Sequence, residues 1–194
     1  MTDTEAFARG YLDRLRRTLD AVDPAALAAA VDLVEAAWRG GRQVITLGNG
    51  GSALTALHYV NDWNKGVFAA TGRPFLGRSL CDNIGLVMAY ANDVSYADVF
   101  AAQLKATMRP GDLVVALSSS GESANVLRAV DHANDNGGVT LGLCGHRGGR
   151  LRAAARHAMW VPADDTQLVE DVFVAFGHIV MQRLCGMAAD APTR

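Results

Sequence analysis

Two loops rich in glycine and serine carry the clearest chemical signal in the sequence. Residues 48–52 read GNGGS after an apolar run, and residues 118–123 read SSSGES after another apolar run. Small residues let backbone N–H groups approach an anion closely, and serine hydroxyls and a following helix N-terminus add to its binding. Together the loops predict a site for a phosphorylated ligand. Neither contains a Walker A motif or a GxGxxG pattern, which argues against an NTPase or a dinucleotide enzyme.

The elements around these loops alternate between short apolar strands and helices. Strands are predicted at residues 44–47, 76–80, 112–117, 139–144 and 157–161. Helices are predicted at residues 53–64, 96–108, 124–136 and 166–185. This alternation is typical of an α/β fold with helices on both faces of a parallel sheet. Ligands of such sheets bind beyond the carboxyl ends of the strands, where we expect both loops to lie.

Two more amphipathic helices are predicted within residues 1–40. They are joined where Asp23 caps the second helix and Pro24 takes its first position. We expect this pair to pack on the core or on a neighbouring subunit, with a role in oligomerisation. The last helix, by contrast, is apolar over most of its surface, and such a helix is buried. In a chain this small, that composition favours burial between subunits.

Composition narrows the class of protein without indicating a reaction. The 194 residues are 50% hydrophobic and 20% charged, as expected for a single α/β domain spanning residues 1–194. A net charge of −2 without a basic stripe argues against nucleic acid or an anionic membrane as partner. No signal peptide or membrane-spanning stretch is visible. The three cysteines, Cys81, Cys144 and Cys185, form no metal or disulfide pattern, which predicts inert thiols and a cytoplasmic location.

Several of these segments together resemble the sugar isomerase (SIS) domain, and within it the phosphoheptose isomerases. The resemblance rests on GNGGS, a helix bearing His58, the Asn92-Asp93 pair, SSSGESANV, and a last helix with Glu170 and His178. It covers nearly the whole chain. It implies a three-layer sandwich around a mainly parallel five-stranded sheet, related to Rossmann and flavodoxin-like folds, plus two N-terminal helices. It also implies isomerisation of sedoheptulose 7-phosphate, a ketose, to an aldose heptose 7-phosphate through an enediol.

The resemblance places the sugar-phosphate contacts mainly on the two loops. The implied contacts are Asn49, Gly50, Gly51, Ser52, Asn92, Asp93, Ser118, Ser119, Ser120, Ser123 and Glu170. The second loop departs from the family pattern at Glu122, where the family usually has asparagine. We expect this carboxylate to point away from the phosphate.

The resemblance also implies a set of two histidines and two carboxylates that are catalytic and, in zinc-containing members, bind the metal. The set maps to His58, Asp62, Glu170 and His178, with one zinc ion for each active site. His58 and Asp62 are spaced i,i+4 and share a helix face. Glu170 and His178 lie about 12 Å apart along one helix axis. We therefore expect that one of these two serves a neighbouring subunit, or that only one binds tightly.

Two members of this set differ from the family, which has glutamate at Asp62 and glutamine at Glu170. Asp62 would be the base and His178 its acid partner. Aspartate is one methylene shorter, and a misplacement of about 1 Å can cost on the order of 10²-fold in rate. Three alternatives stay open: the backbone compensates, Glu170 takes over as base, or the site holds another substrate pose.

The resemblance includes a competing class of function. Some related SIS proteins are not catalytic, and bind a sugar phosphate or a partner of the replication-initiator type. The non-catalytic type that binds the initiator lacks the last-helix histidine, so the presence of His178 favours an enzyme. The family is typically a homotetramer with interfacial active sites.

Overall fold

The computed structural model describes residues 2–186 and contains a five-stranded, entirely parallel sheet. The strands are β1 (Val44–Leu47), β2 (Gly77–Ser79), β3 (Leu113–Ser118), β4 (Val139–Cys144) and β5 (His157–Trp160). Their order across the sheet is β2-β1-β3-β4-β5. The predicted α/β fold is confirmed, and β1 and β4 have the predicted ends. The last predicted segment, 157–161, is one residue longer than β5.

Helices cover both faces of the sheet and precede it. They are α1 (Asp3–Asp20), α2 (Pro24–Arg39), α3 (Gly50–Asp62), α4 (Phe68–Thr71), α5 (Ile84–Asp93), α6 (Val99–Thr107), α7 (Ala124–Asp135), α8 (Gly149–Ala154) and α9 (Thr166–Leu184). Helices α4, α5 and α8 were not predicted. Helices α4 and α8 have only four and six residues, too few to show an apolar stripe, whereas the stripe of Ile84, Val87, Met88 and Ala91 in α5 was missed. None of the described helices is long and apolar enough to cross a membrane.

Alternate residues of the strands point into two separate cores. The alternation is clearest in β3, where Val115 and Leu117 face one core and Val114 and Ala116 face the other. The first core is closed by α2, α3 and α9, and the second by α6, α7 and α8. The result is the three-layer sandwich that the resemblance implies.

Helix α9 is buried within its own subunit. Its apolar residues Leu168, Val169, Val172, Phe173, Phe176, Val180 and Leu184 are buried, and Ile179 is 42% exposed. All of these buried residues except Leu168 pack into the first core with α2 and α3. The expectation that this helix is buried between subunits was therefore wrong. The composition shows that a helix is covered, but not whether its own chain or a second one covers it.

Helix α1, in contrast, leaves apolar side chains in solvent. Phe7 is 75% exposed and Leu12 is 63% exposed. The helix is attached to α9 through a hydrogen bond from the Tyr11 hydroxyl to Asp171 Oδ2, at 2.6 Å. This bond raises the pKa of Tyr11 to about 12. A salt bridge between Arg14 Nη1 and Asp165 Oδ2, at 2.8 Å, is the second contact of this kind.

Candidate active site

The two predicted loops meet at the point where the chain reverses its direction across the sheet. Strands β1 and β3 are parallel neighbours, while β2 lies on the far side of β1. Connections that leave neighbouring strands in opposite directions open a crevice beyond their carboxyl ends. A cavity of about 370 Å³ lies there, lined by Asn49, Gly50, Gly51, Ser52, Leu117, Ser118, Ser119, Ser120, Ser123, His146, Thr166 and Glu170. A larger cavity of about 820 Å³, near Arg42 and Arg78, contains none of the predicted site residues.

Backbone and hydroxyl groups, rather than cationic side chains, make up the donors of this cavity. Helices α3 and α7 begin here with N-cap residues Asn49 and Ser123, and neither side chain caps its helix. The first N–H groups of both helices can therefore bind an anion. Ser118 Oγ lies 3.2 Å from Ser123 Oγ. Ser119 Oγ is buried and finds no hydrogen-bond partner within the described residues, as expected where a ligand or water completes the bonding.

The glycine-rich loop is tied to the first turn of α7 by a pair of carboxamides. Asn49 Nδ2 donates to Asn125 Oδ1 and Asn125 Nδ2 donates to Asn49 Oδ1, both at 2.9 Å. The Tyr96 hydroxyl also donates to Asn49 Oδ1, at 2.8 Å. Sequence reasoning assigned no role to Asn125 or Tyr96. Asn125 lies within the SSSGESANV segment and had that signal, whereas no sequence signal pointed to Tyr96.

The structure agrees with the prediction for Glu122 but places Asn92 and Asp93 outside the cavity. Glu122 points away from the cavity, as expected, and accepts hydrogen bonds from the Arg150 backbone N–H and from Arg150 Nε, at 2.8 and 2.7 Å. These bonds hold the pKa of Glu122 below its usual value. Asn92 and Asp93 form the end of α5, are exposed, and do not line the cavity of their own chain.

Three of the four residues in the predicted metal and catalytic set converge. His58 Nε2 lies 3.0 Å from His178 Nε2. Asp62 Oδ2 lies 3.4 Å from His58 Nε2 and 3.8 Å from His178 Nε2. The i,i+4 spacing on α3 thus places His58 and Asp62 on one face, and α9 brings His178 to them from 120 residues away.

Glu170 is the member of the set that lies elsewhere. It stands two turns before His178 on α9, and its carboxylate lies against Gly51, where an added Cβ would overlap it. Glu170 therefore lines the cavity beside the glycine-rich loop. It is not one of the donors that converge at the histidines.

Buried aromatic residues of α3 and its extension hold α3 against α9. The Tyr59 hydroxyl donates to the Phe173 carbonyl, and Trp63 Nε1 donates to the Gly177 carbonyl at 2.9 Å. The two rings stack with centroids 4.7 Å apart, and both are fully buried. A Cβ on Gly177 would overlap the Tyr59 ring, so only glycine permits this approach. This close contact of the two helices lies one residue before His178.

The chain continues past α3 as a π-helical turn, Trp63–Val67, which begins immediately after Asp62. Such turns are rare and occur frequently at functional sites. The helix predicted at residues 53–64 thus begins at Gly50, three residues before its predicted start. Its last two predicted residues belong to the π-helical turn. The wider turn lets Trp63 reach the Gly177 carbonyl while Asp62 faces the histidines.

The three converging donor atoms suit a divalent metal. Two imidazole nitrogens and a carboxylate oxygen are ligands that zinc takes, and ligands of a tetrahedral zinc site lie about 3.3–3.6 Å from one another. The observed separations of 3.0, 3.4 and 3.8 Å bracket that spacing. Three protein ligands are also the number that catalytic zinc sites use, which leaves a position for substrate. The residues present therefore fit the metal.

Comparisons with known proteins agree with this geometry. The SIS domain family model matches residues 10–145. Phosphoheptose isomerase of Rhodospirillum rubrum is 37% identical over 166 residues, which are 86% of each chain. A probable phosphoheptose isomerase of Thermoplasma acidophilum is 32% identical over 89% of this chain and 94% of its own.

A solved structure extends the likeness to the fold. Phosphoheptose isomerase of Neisseria gonorrhoeae superposes with a TM-score of 0.85 over 94% of this chain and 98% of its own. Their sequences are 24% identical, so this likeness concerns the fold alone. From the family model and the sequence relatives, the chain belongs to the SIS domain family and, within it, to the phosphoheptose isomerases.

Proposed function

We propose that the chain is an aldose–ketose isomerase that converts sedoheptulose 7-phosphate to a heptose 7-phosphate through an enediol. The observation that carries the proposal is the convergence of His58, Asp62 and His178 on the two helices that also line the phosphate-type cavity. Ser52 in the cavity and His58 in the cluster are six residues apart on α3, about 9 Å along its axis. A seven-carbon sugar phosphate is long enough to bridge the two.

The phosphate end of the substrate would be held without lysine or arginine. The free N–H groups at the starts of α3 and α7 and the hydroxyls of the second loop supply the donors. The buried hydroxyl of Ser119 would gain the hydrogen bond that it lacks within the described residues. A near-neutral protein can bind a phosphate in this way.

The reaction moves a proton between C1 and C2, so it needs a base and an acid at neighbouring carbons. For the site without metal, we assign the base to Asp62 and the acid to His178, whose Oδ2 and Nε2 atoms lie 3.8 Å apart. Glu170 lies in the cavity and is the alternative base. His58, 3.0 Å from His178, helps to orient that imidazole.

We further propose that the active site uses zinc. His58, Asp62 and His178 would hold it, and Glu170 would stay outside the ligand set of its own chain. Bound zinc supplies Lewis-acid polarisation of the substrate carbonyl and hydroxyl oxygens. If Asp62 is engaged in this way, Glu170 is the carboxylate left to take the proton.

We also propose a homotetramer with interfacial active sites. Phe7 on α1 and Ile84 and Met88 on α5 are 75%, 68% and 65% exposed, which is unusual for large apolar side chains. Asn92 and Asp93 lie at the end of α5, outside the cavity of their own chain. A second subunit covering α5 would bring them to a neighbour's substrate.

We also propose a cytoplasmic location, from the state of the cysteines. Cys81, Cys144 and Cys185 are free thiols. Burial raises the pKa of Cys144 to about 11 and also raises the pKa of Cys81, so neither is a reactive thiolate at neutral pH. Unpaired, unreactive cysteines are usual in a reducing compartment.

The decisive experiment incubates the purified protein with sedoheptulose 7-phosphate, with and without a chelator, and measures the aldose product. We expect turnover that His58→Ala and His178→Ala each abolish, with little change in thermal unfolding. His157→Ala is the matched control, because this exposed histidine lies outside the cavity and the cluster. Wild-type rates in either cluster variant would refute the assignment. Binding without product would favour the sugar-phosphate-binding alternative.

A further inference from the structure

We propose that His146 is a further substrate-binding residue, which contacts the phosphate end of the substrate from the side opposite the glycine-rich loop. The proposal rests on the proposed function. Strands β1, β3 and β4 are consecutive neighbours in the sheet, so the loops that follow them stand side by side at one edge. His146 lies in the third of these loops, directly after β4, and lines the same cavity as the other two.

The backbone of His146 is held in an unfavourable conformation. Its φ is +47°, and it is the one residue other than glycine with a positive φ within residues 2–186. Glycine is the usual residue for this left-handed region, and the loop has glycines at positions 145, 148 and 149. Residues held in such conformations cluster at ligand-binding and active sites. The position therefore carries a histidine where glycine would be easier to accommodate.

Contacts on both sides keep the backbone of His146 in place. Its N–H donates to the Ala163 carbonyl at 3.0 Å, and its own carbonyl accepts from Trp160 Nε1 at 2.9 Å. The preceding residue, Gly145, donates its N–H to the Ser119 carbonyl at 3.0 Å. His146 is thus anchored directly beside the serine-rich loop.

The imidazole has the chemistry that the cavity otherwise lacks. Its Nε2 lies 3.2 Å from Thr166 Oγ1, and its Nδ1 finds no hydrogen-bond partner in the part of the chain that the structure describes. The cavity is lined by no lysine or arginine, so His146 is the one lining side chain able to carry a positive charge. A dianionic phosphate against the neighbouring serines is the ligand group that such a donor suits best.

Because His146 has a left-handed backbone, it can be replaced without disturbing the fold. His146→Gly and His146→Asn both suit a positive φ, so both should fold, with melting temperatures at or above that of the wild type. We expect His146→Gly to raise KM for sedoheptulose 7-phosphate by roughly 10- to 100-fold while kcat stays within about twofold, as for loss of a hydrogen bond to a charged group. His146→Asn should recover part of this loss. His132→Asn, in a histidine outside the cavity, is the control.

Inorganic phosphate distinguishes the contact from a general effect. Its competitive inhibition constant should rise in parallel with KM in His146→Gly. An unchanged KM, a loss confined to kcat, or an unchanged phosphate inhibition constant would each overturn the proposal. If the wild type does not turn over the sugar, the proposed function fails, and calorimetric titration of wild type and His146→Gly with inorganic phosphate then tests the contact alone. Equal affinities in that titration would reject it.

Discussion

The two carboxylates of the site, Asp62 and Glu170, occupy different environments although both come from one predicted set. Asp62 Oδ2 faces two imidazole nitrogens at 3.4 and 3.8 Å. Glu170 lies against the backbone of Gly51, beside the loop that would bind phosphate. A base must reach C1 and C2, at the opposite end of the substrate from its phosphate. Asp62 is therefore better placed to be the base when no metal engages its carboxylate.

Replacing each carboxylate by the amide of the same shape tests which of the two is the base. We expect Asp62→Asn to lower kcat by about 10²–10⁴-fold, the usual contribution of a general base, and to weaken zinc binding measured by competition with a chromophoric chelator. Glu170→Gln restores the residue typical of the family and should lower kcat less than about tenfold. The opposite ranking of the two variants would transfer the role of base to Glu170.

At the scale of elements, the distance between α3 and α9 decides whether the site forms. Tyr59 and Trp63 donate hydrogen bonds to backbone carbonyls of α9, and Gly177 leaves room for the Tyr59 ring. These contacts involve no residue of the cluster. They nevertheless determine how near His178 comes to His58.

A methyl group at Gly177 tests this relation. We expect Gly177→Ala to force the helices apart, to lower zinc affinity and kcat at least tenfold, and to destabilise the fold by about 1–3 kcal/mol, as overpacking does. Gly10→Ala is the matched control, because nothing lies within 4 Å of its added Cβ. Gly10→Ala should raise the free energy of unfolding by up to about 1 kcal/mol, because alanine has the higher helix propensity. Unchanged metal affinity in Gly177→Ala would contradict the proposed spacing role.

Glu35 joins α2 to α9 and makes the stability depend on pH. It accepts hydrogen bonds from Arg39 Nε at 2.8 Å and from Arg183 Nε at 3.0 Å, and these bonds lower its pKa below 4.5. A lowered pKa contributes stability above the unfolded value of 4.5, and this contribution is lost as the pH falls through the folded value.

We therefore expect Glu35→Gln to destabilise the protein at pH 7 by about 0.5–1 kcal/mol, in keeping with its partly exposed ion pairs. The difference from the wild type should shrink as the pH falls below 4.5, measured by urea unfolding across that range. Glu5→Gln, on the exposed face of α1, is the control. A difference that grows on acidification would show that another group is responsible.

At the scale of the whole molecule, the exposed apolar side chains of α1 and α5 predict assembly. We expect Phe7→Glu and Ile84→Glu to lower the molecular mass in sedimentation velocity, because each would place a carboxylate in an apolar interface. Turnover should fall with dissociation if Asn92 and Asp93 act on a neighbouring subunit. Leu76→Glu is the control, since Leu76 is exposed beside the other cavity. Wild-type mass in both variants would contradict the proposed tetramer.

The parts that sequence reasoning predicted are those governed by local chemistry. The parallel sheet follows from short apolar runs between helices, and the two loops follow from small residues after strands. The pairing of His58 with Asp62 follows from helical spacing alone. Helix α5 was missed although its apolar residues have helical spacing, and the π-helical turn was missed because no propensity signals it.

What the sequence by itself determined is thus the chemistry available: two loops predicted to bind an anion, two histidines and two carboxylates, and a fold of alternating strands and helices. Only the tertiary structure decided which of these groups lie in the histidine cluster and which line the cavity at the loops. It joined His178 to His58 across 120 residues, left Glu170 with the loops, and brought His146 into the cavity. The physical reason is that helix packing and strand order set long-range distances, through contacts such as that of Gly177 with Tyr59, and no local pattern records them.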